Sequence, residues 1–388
     1  MSCYISTRNS RYYAAVETAF GQAAPVTAAN RFSGLQFRVQ QRWEEIRRRD
    51  KTGTRTHLGI AGQPRKRTFF ELSTYLYARD SGAMRPRCGA LVEGALGAAP
   101  RVHNGGLPVA EVQGAAVVFS AAHGLQPGDA ISLGGNLRIV TACPDATTAW
   151  ISAPVSGPPP AATGGAASYG LSLKLPSISL YEYWTPAEAV QRLLNGCVVD
   201  EMSVELNGDF HELTFRGAAA GVIDNRTFEP QQGGLAIFPA EPAVQPLAEM
   251  PVPGHLGQAW AGTGPWPLET VAEARIRVRN NAELRWRDFG LTEPKCAVPG
   301  DREVTVDLDI YGNSSEACEA IYASAIRREP IPLMVQMGAV PGGMCAIYIP
   351  NFIPAPPEFL DGEERLRWRL RGSMAQGTRE DELFIAFG

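Results

Sequence analysis

Along the last third of the chain, charged and apolar residues take turns. In VAEARIRVRNNAELRWRDFG, Ile276 and Val278 point one way and Arg275, Arg277 and Arg279 the other, with Asn280-Asn281 in the turn position before Leu284 and Trp286 resume the pattern. Period-two alternation marks a half-buried antiparallel strand. REVTVDLDIY repeats it, with Val304, Val306, Leu308 and Ile310 opposing Glu303, Thr305, Asp307 and Asp309. ERLRWRLRG repeats it again, with Leu366, Trp368 and Leu370 against Arg365, Arg367, Arg369 and Arg371.

The rest of the chain is less regular. Residues 1–30 read as a polar, alanine-rich arm in which Tyr12, Tyr13, Val16 and Phe20 either dock on a neighbouring subunit or stay disordered. Residues 31–80 read as strand, charged loop, strand, ending in the aromatic and β-branched TFFELSTYLY. Residues 81–175 hold a possible short helix, CGALVEGALG, then short β runs between Pro-Gly and Gly-Gly turns, and close on GPPPAATGGAAS. This predicts a small all-β insertion on the outside of a larger fold.

Thr185, Pro186 and Glu188 form a capping box that predicts a helix stopped by Gly196. Asn207-Gly208 then predicts a two-residue hairpin turn that sets Met202, Val204 and Leu206 on one face with Leu213 and Phe215. Glu201, Glu205 and Glu212 share the opposite face. Residues 218–270, rich in proline, glycine and alanine, read as a linker between two halves. Strand, charged loop, strand and helical segment recur on each side of that linker, so a duplicated β domain is the economical reading.

Composition narrows the function. A chain of 388 residues, 45% hydrophobic and 20% charged, can bury a core. A net charge of −4 argues against a dedicated nucleic-acid binder. Seven scattered cysteines without a CxxC pair suggest neither a zinc site nor a disulfide framework. No apolar run reaches membrane-spanning length and the first residues lack a signal-peptide pattern, so no membrane partner and a cytoplasmic site of assembly are expected.

Catalytic patterns are weak. Walker A, HExxH and GxSxG sequences do not occur. Asp209, His211 and Glu212 flank a tight turn, but residues 211 and 212 point to opposite faces of a strand; His57, His103, His123 and His255 fall in loops without a carboxylate at ligand spacing. Gly338, Gly342 and Gly343 read as a hairpin turn rather than a phosphate cradle, and the sequons at Asn225 and Asn313 carry little weight without a secretory signal. The expectation is a non-enzyme with no cofactor and no metal.

The C-terminal half resembles a major tail tube protein of long-tailed phages, in NNAELRWRDFG, in PGDREVTVDLDIYG followed by a helix, and in DGEERLRWRLRGSMAQGTREDELFIAFG. The N-terminal half looks like a diverged copy, in DKTGTRT, RKRTFFELSTYLY and NGCVVDEMSVELNGDFHELTFRG. The resemblance covers most of the chain outside residues 81–175 and 218–270. It implies a mainly β fold of two tandem tail-tube-type sandwich or barrel domains, residues 31–80 with 176–217 and residues 271–388, each with a flanking short helix.

It further implies rings of three chains with pseudo-sixfold symmetry, stacked into a tube in the virion tail that conducts DNA. The expected partners are other copies of the chain, tail terminator and baseplate or distal tail proteins, and, in the lumen without specific binding, the tape measure protein and genomic DNA. A conduit must not hold phosphates, so Glu201, Glu205, Glu303, Asp307 and Asp309 are lumen candidates. Arg365, Arg367, Arg369 and Arg371, with Arg47 and Arg48, are placed at subunit contacts. The plainer alternative pairs Arg275, Arg277 and Arg279 with Asp307 and Asp309 across strands. A tail terminator or hub ring of the same fold, or a receptor- or glycan-binding protein working through residues 81–175, are the other readings.

Overall fold

A computed structural model describes residues 4–44, 46, 50–56, 64–77, 84–247, 249–362 and 364–388. The fold is mainly β. The chain opens with β1 (Arg11–Val16), β2 (Arg31–Phe32), β3 (Gln36–Glu44) and β4 (Arg65–Tyr75), then helix α1 (Gly89–Leu96) and β5 (Arg101–His103). A separate five-stranded sheet follows: β6 (Val109–Gln113), β7 (Ala116–Phe119), β8 (Ala130–Leu133), β9 (Asn136–Ala142) and β10 (Thr148–Ile151). The main body resumes with β11 (Ala166–Tyr169), β12 (Ile178–Tyr183), β13 (Arg192–Leu206), β14 (Glu212–Ala219) and β15 (Gly221–Asp224).

The second half contains β16 (Gly257–Ala261), β17 (Trp266–Pro267), β18 (Val271–Arg279), the short pair β19 (Glu283–Leu284) and β20 (Ala297–Val298), and β21 (Glu303–Tyr311). Helix α2 (Glu316–Arg327) is followed by β22 (Ile331–Met337), β23 (Cys345–Ile353), β24 (Glu358–Leu360), β25 (Arg367–Ala375) and β26 (Phe384–Phe387). Ser315 caps α2, its side chain accepting from the Cys318 N–H.

The neighbours are the same in both halves. In the first, β3 pairs β4, β4 pairs β14, β14 pairs the end of β13, and the start of β13 lies between β12 and β15, with β1 beyond β12. In the second, β18 pairs β21, β21 pairs β25, β25 pairs the end of β23 and then β24, and the start of β23 lies between β22 and β26, with β16 beyond β22. The halves meet where β13 pairs β18, from Glu201 opposite Arg279 to Leu206 opposite Ala274. One long antiparallel sheet therefore runs β3-β4-β14-β13-β18-β21-β25-β24. At the middle of its inner face Leu72, Phe215, Val204, Ile276, Val306 and Leu370 are each at most 2% exposed and belong to one continuous core.

Several expectations change. The expected N-terminal arm is not free over its described residues 4–30: β1 pairs β12 and β2, and Tyr13 is fully buried. A strand of six residues is too short to show its period, and pairing on both sides buries it. The helix expected after Thr185 is absent; residues 192–206 form one strand. Leu193 to Val199 are buried on both faces, so they must pair on both edges, and that tertiary demand overrides the local capping signal. Gly196, at φ +59°, lets β13 bend between its two pairings, where a Cβ would meet Ala220 at 2.7 Å.

The Asn207-Gly208 turn is a longer connection, residues 207–211, held by Phe210 packing on Tyr75 and bridging to Pro253. The expected facing of Met202 and Val204 with Phe215 and Leu213 is present. Asn280 does not turn a hairpin; it is buried, and its side-chain amide donates to the carbonyls of Ala95, near the end of α1, and Val199.

The inserted module is narrower than residues 81–175, since α1 and β11 lie in the main core. Its entry and exit touch: a Cβ on Gly105 would sit 2.6 Å from Gly164. Nor is it a loose decoration. Arg138 of β9, fully buried, donates to the Gln336 side chain of β22 at 2.6 Å and lies 4.2 Å over the Trp260 ring. Burial pushes its guanidinium down to about 9, and among the described residues no carboxylate pairs with it; its other N–H groups donate to the carbonyl oxygens of Leu137, Ala153 and Pro154 and to the Asn136 side-chain oxygen. Residues 218–270 are likewise not merely a linker. They contain β15, β16 and β17, and Phe228, Leu235 and Phe238 strap the first half over Tyr13, Tyr181 and Tyr183.

Candidate functional site

The outer face of the long sheet carries the sequence's charged positions. Alternation fixes which residues point outward, and register fixes whom they meet. On β13 and β18, Glu205 stands opposite Arg275 and Ser203 opposite Arg277. On β18 and β21, Arg275 stands opposite Asp307, Arg279 opposite Glu303 and Glu273 opposite Asp309. On β21 and β25, Asp309 stands opposite Arg369.

Two ion-pair nodes organise this face. In the first half, Arg216 of β14 bridges Glu71 of β4 at 2.9 Å and Glu201 of β13 at 3.1 Å. Hydrogen bonding to Glu71 holds the Arg216 guanidinium above its ordinary value, although the group is half open to water. In the second half, Asp309 is 1% exposed under Arg367 at 2.7 Å, Arg371 at 3.1 Å and Arg369 at 3.4 Å. Across the junction, Glu205 pairs with Arg275, and Arg277 approaches Glu201 at 3.8 Å.

The lumen candidates Glu201, Glu205, Glu303, Asp307 and Asp309 thus do share one face. Asp307 is further engaged by the Gly372 N–H at 2.8 Å. Arg367, Arg369 and Arg371, expected on a separate contact surface, occupy this same face and clasp Asp309. The division into acidic channel strands and basic contact strands is therefore corrected: β21 and β25 are neighbours with matched parity, so their charges interdigitate. Arg365 stands apart, exposed, 5.7 Å over the Tyr311 ring. Arg47 and Arg48 lie outside the described residues.

Sequence reasoning missed Glu71, Arg216 and Glu273. Glu71 alternates within TFFELSTY and Arg216 within ELTFRG, so the outward facing of both is legible in the sequence pattern. The cross-strand alternative was right in kind and wrong in partner, since Arg275 bonds Glu205 rather than Asp307.

Among the described residues, which do not include His57, the histidines and carboxylates singled out in the sequence do not converge. His211 is 2% exposed, burial lowers its pKa, and its Nε2 sits 3.4 Å from the Leu256 carbonyl oxygen. It does not converge with Asp209 and Glu212. Among the described residues no three His, Cys, Asp or Glu side chains gather at metal-binding distance. Cys88, Cys197 and Cys345 are buried, and burial pushes each thiol up, away from nucleophilic reactivity.

No protein-family model and no curated protein matches the chain. No helix among the described residues is long and apolar enough to cross a membrane.

Proposed function

We propose that the chain is a structural protein of the major tail tube kind, a duplicated β domain whose long sheet forms one third of a ring wall. The observation that carries this is the repeated neighbour order of the two halves, joined edge to edge by β13 and β18. Each half supplies four strands to the long sheet. A joint that works once within the chain works again between chains, and an interface repeated by rotation closes a ring. Three chains of eight strands would close a barrel of about 24 strands, wide enough for a lumen. Closing also removes the two sheet edges that would otherwise promote aggregation.

The charged face suits a conduit for DNA in a different way from a simply acidic lining. On its central strands Arg216, Arg275, Arg277, Arg367, Arg369 and Arg371 each pair with a carboxylate, and a guanidinium already paired gains less by displacing the counterions of a phosphate, which is the source of DNA adhesion. The middle of the lining is then weakly adhesive because it is internally neutralised, and Arg38 and Arg42, which pair with no carboxylate among the described residues, lie at its β3 edge. In this reading the protein is not an enzyme, needs no cofactor, assembles in the host cytoplasm and ends in the virion tail between terminator and baseplate proteins.

Negative-stain microscopy of the purified protein tests it. Stacked hollow tubes support the reading; single rings that never stack favour a terminator or hub; a monomer under all conditions removes it. Excising residues 106–163 and joining Gly105 to Gly164 separates wall from module. Rings should still form, with lowered melting temperature because Trp260 and Met334 lose their cover.

A further inference from the structure

Among the described residues, the outer edges of β3 and β24 pair with no other strand. They terminate the long sheet at opposite ends. Resting on the ring-forming reading above, we propose that β24 of one copy docks antiparallel on β3 of the next, and that this contact is keyed by side chains: acid on β24, arginine on β3, over a shared apolar layer.

The internal joint supplies the template. There the outgoing strand β13 presents Glu201 and Glu205 on the outer face, and the incoming strand β18 presents Arg275, Arg277 and Arg279. The free edges have the same polarity. β24, which occupies beside β25 the place of β13 beside β14, carries Glu358 opposite Arg369, hence on the outer face, and it is exposed. β3, which occupies the place of β18, carries Arg38 opposite Glu71 and Arg42 opposite Arg67, both on the outer face and exposed. Acid leads and arginine receives at both boundaries.

The inner layer matches too. In the closed joint, Met202 and Val204 pack against Ile276 and Val278, all at most 2% exposed. At the β24 edge, Phe359 is 50% exposed in an aromatic cluster with Tyr322 and Trp368. At the β3 edge, Trp43 is 61% exposed, beside half-buried Val39 and Phe37. Both apolar patches lie on the inner side of the sheet, so meeting edges would continue one core.

The two joints differ in backbone. β13 offers a continuous strand, whereas β24 has three residues and follows Pro354, Pro356 and Pro357, which lack N–H donors. The contact between chains has few ladder bonds, so its side-chain charges decide whether it forms. Its salt sensitivity should exceed that of the internal joint.

The test compares the wild-type chain with Glu358→Arg, with Arg38→Glu/Arg42→Glu, and with the triple charge swap, by sedimentation and electron microscopy at low salt. Each single-edge variant should weaken assembly by at least about tenfold, since like charges meeting at an interface cost several kcal/mol. The triple variant should recover rings, and all should melt close to wild type, because the altered side chains are exposed and their cross-strand neighbours Glu71 and Arg369 keep Arg216 and Asp309 as counter-charges. Single-edge variants that assemble as well as wild type, or a triple variant that melts normally yet fails to recover, would overturn the joint while leaving the ring reading standing. A wild-type chain that never assembles would overturn both.

Discussion

In the first half of the long sheet, Glu71 of β4 meets Arg216 of β14; in the second, at the corresponding strands, Asp309 of β21 meets Arg369 of β25. The chemistry is the same and the surroundings are not. The Glu71 and Arg216 side chains are 35% and 54% exposed, while that of Asp309 is fully covered by arginines from its neighbour strand. Exposed pairs gain little because water solvates each partner nearly as well. A covered carboxylate has exchanged its water for guanidinium groups, and each depends on the others. The second half therefore ties its outer face around a buried carboxylate, and the first half ties the same face by a solvated pair.

That contrast orders the expected effects. Asp309→Ala removes the buried anion beneath three guanidinium groups, of which, among the described residues, only Arg367 keeps another carboxylate, Glu273 at 3.3 Å, and should cost about 3–5 kcal/mol in urea unfolding. A loss under 1 kcal/mol would show the node to be solvated like its counterpart. Ile276→Ala opens a cavity in the closed joint and should cost about 2–4 kcal/mol, whereas Val39→Ala at the half-buried β3 edge should cost about 1 kcal/mol in the unassembled chain. Equal costs at the two positions would mean that the edge is already covered. Glu71→Gln should change stability by less than about 1 kcal/mol, and the change should vanish at high salt, in thermal melts across a salt series.

The strands that sequence made legible are those with one wet and one dry face. β18, β21 and β25 lie close to where their alternation puts them, because each needs an apolar row inside and can leave a charged row outside. β13 was legible only in its second part. Its first part is dry on both faces, and a continuous apolar run such as Leu193 to Val199 has no period to read. β16, written GQAWA, is short and polar enough to pass for linker, and only pairing with β22 makes it a strand. The charged face was half legible. Alternation says which residues point outward, but Arg275 has Asp307 on one side and Glu205 on the other, and only the meeting of β13 with β18 brings Glu205 within reach. The covered state of Asp309 was invisible for the same reason, since its arginines lie some 60 residues away in sequence.

The central claim is that one chain supplies two units of a closed wall. Class averages of the assembled particle viewed down its axis, combined with its mass, test this most directly. The account predicts three chains per ring with six similar wall units around a hollow centre. A ring of six chains, or a particle that remains a single chain at every concentration, would contradict it.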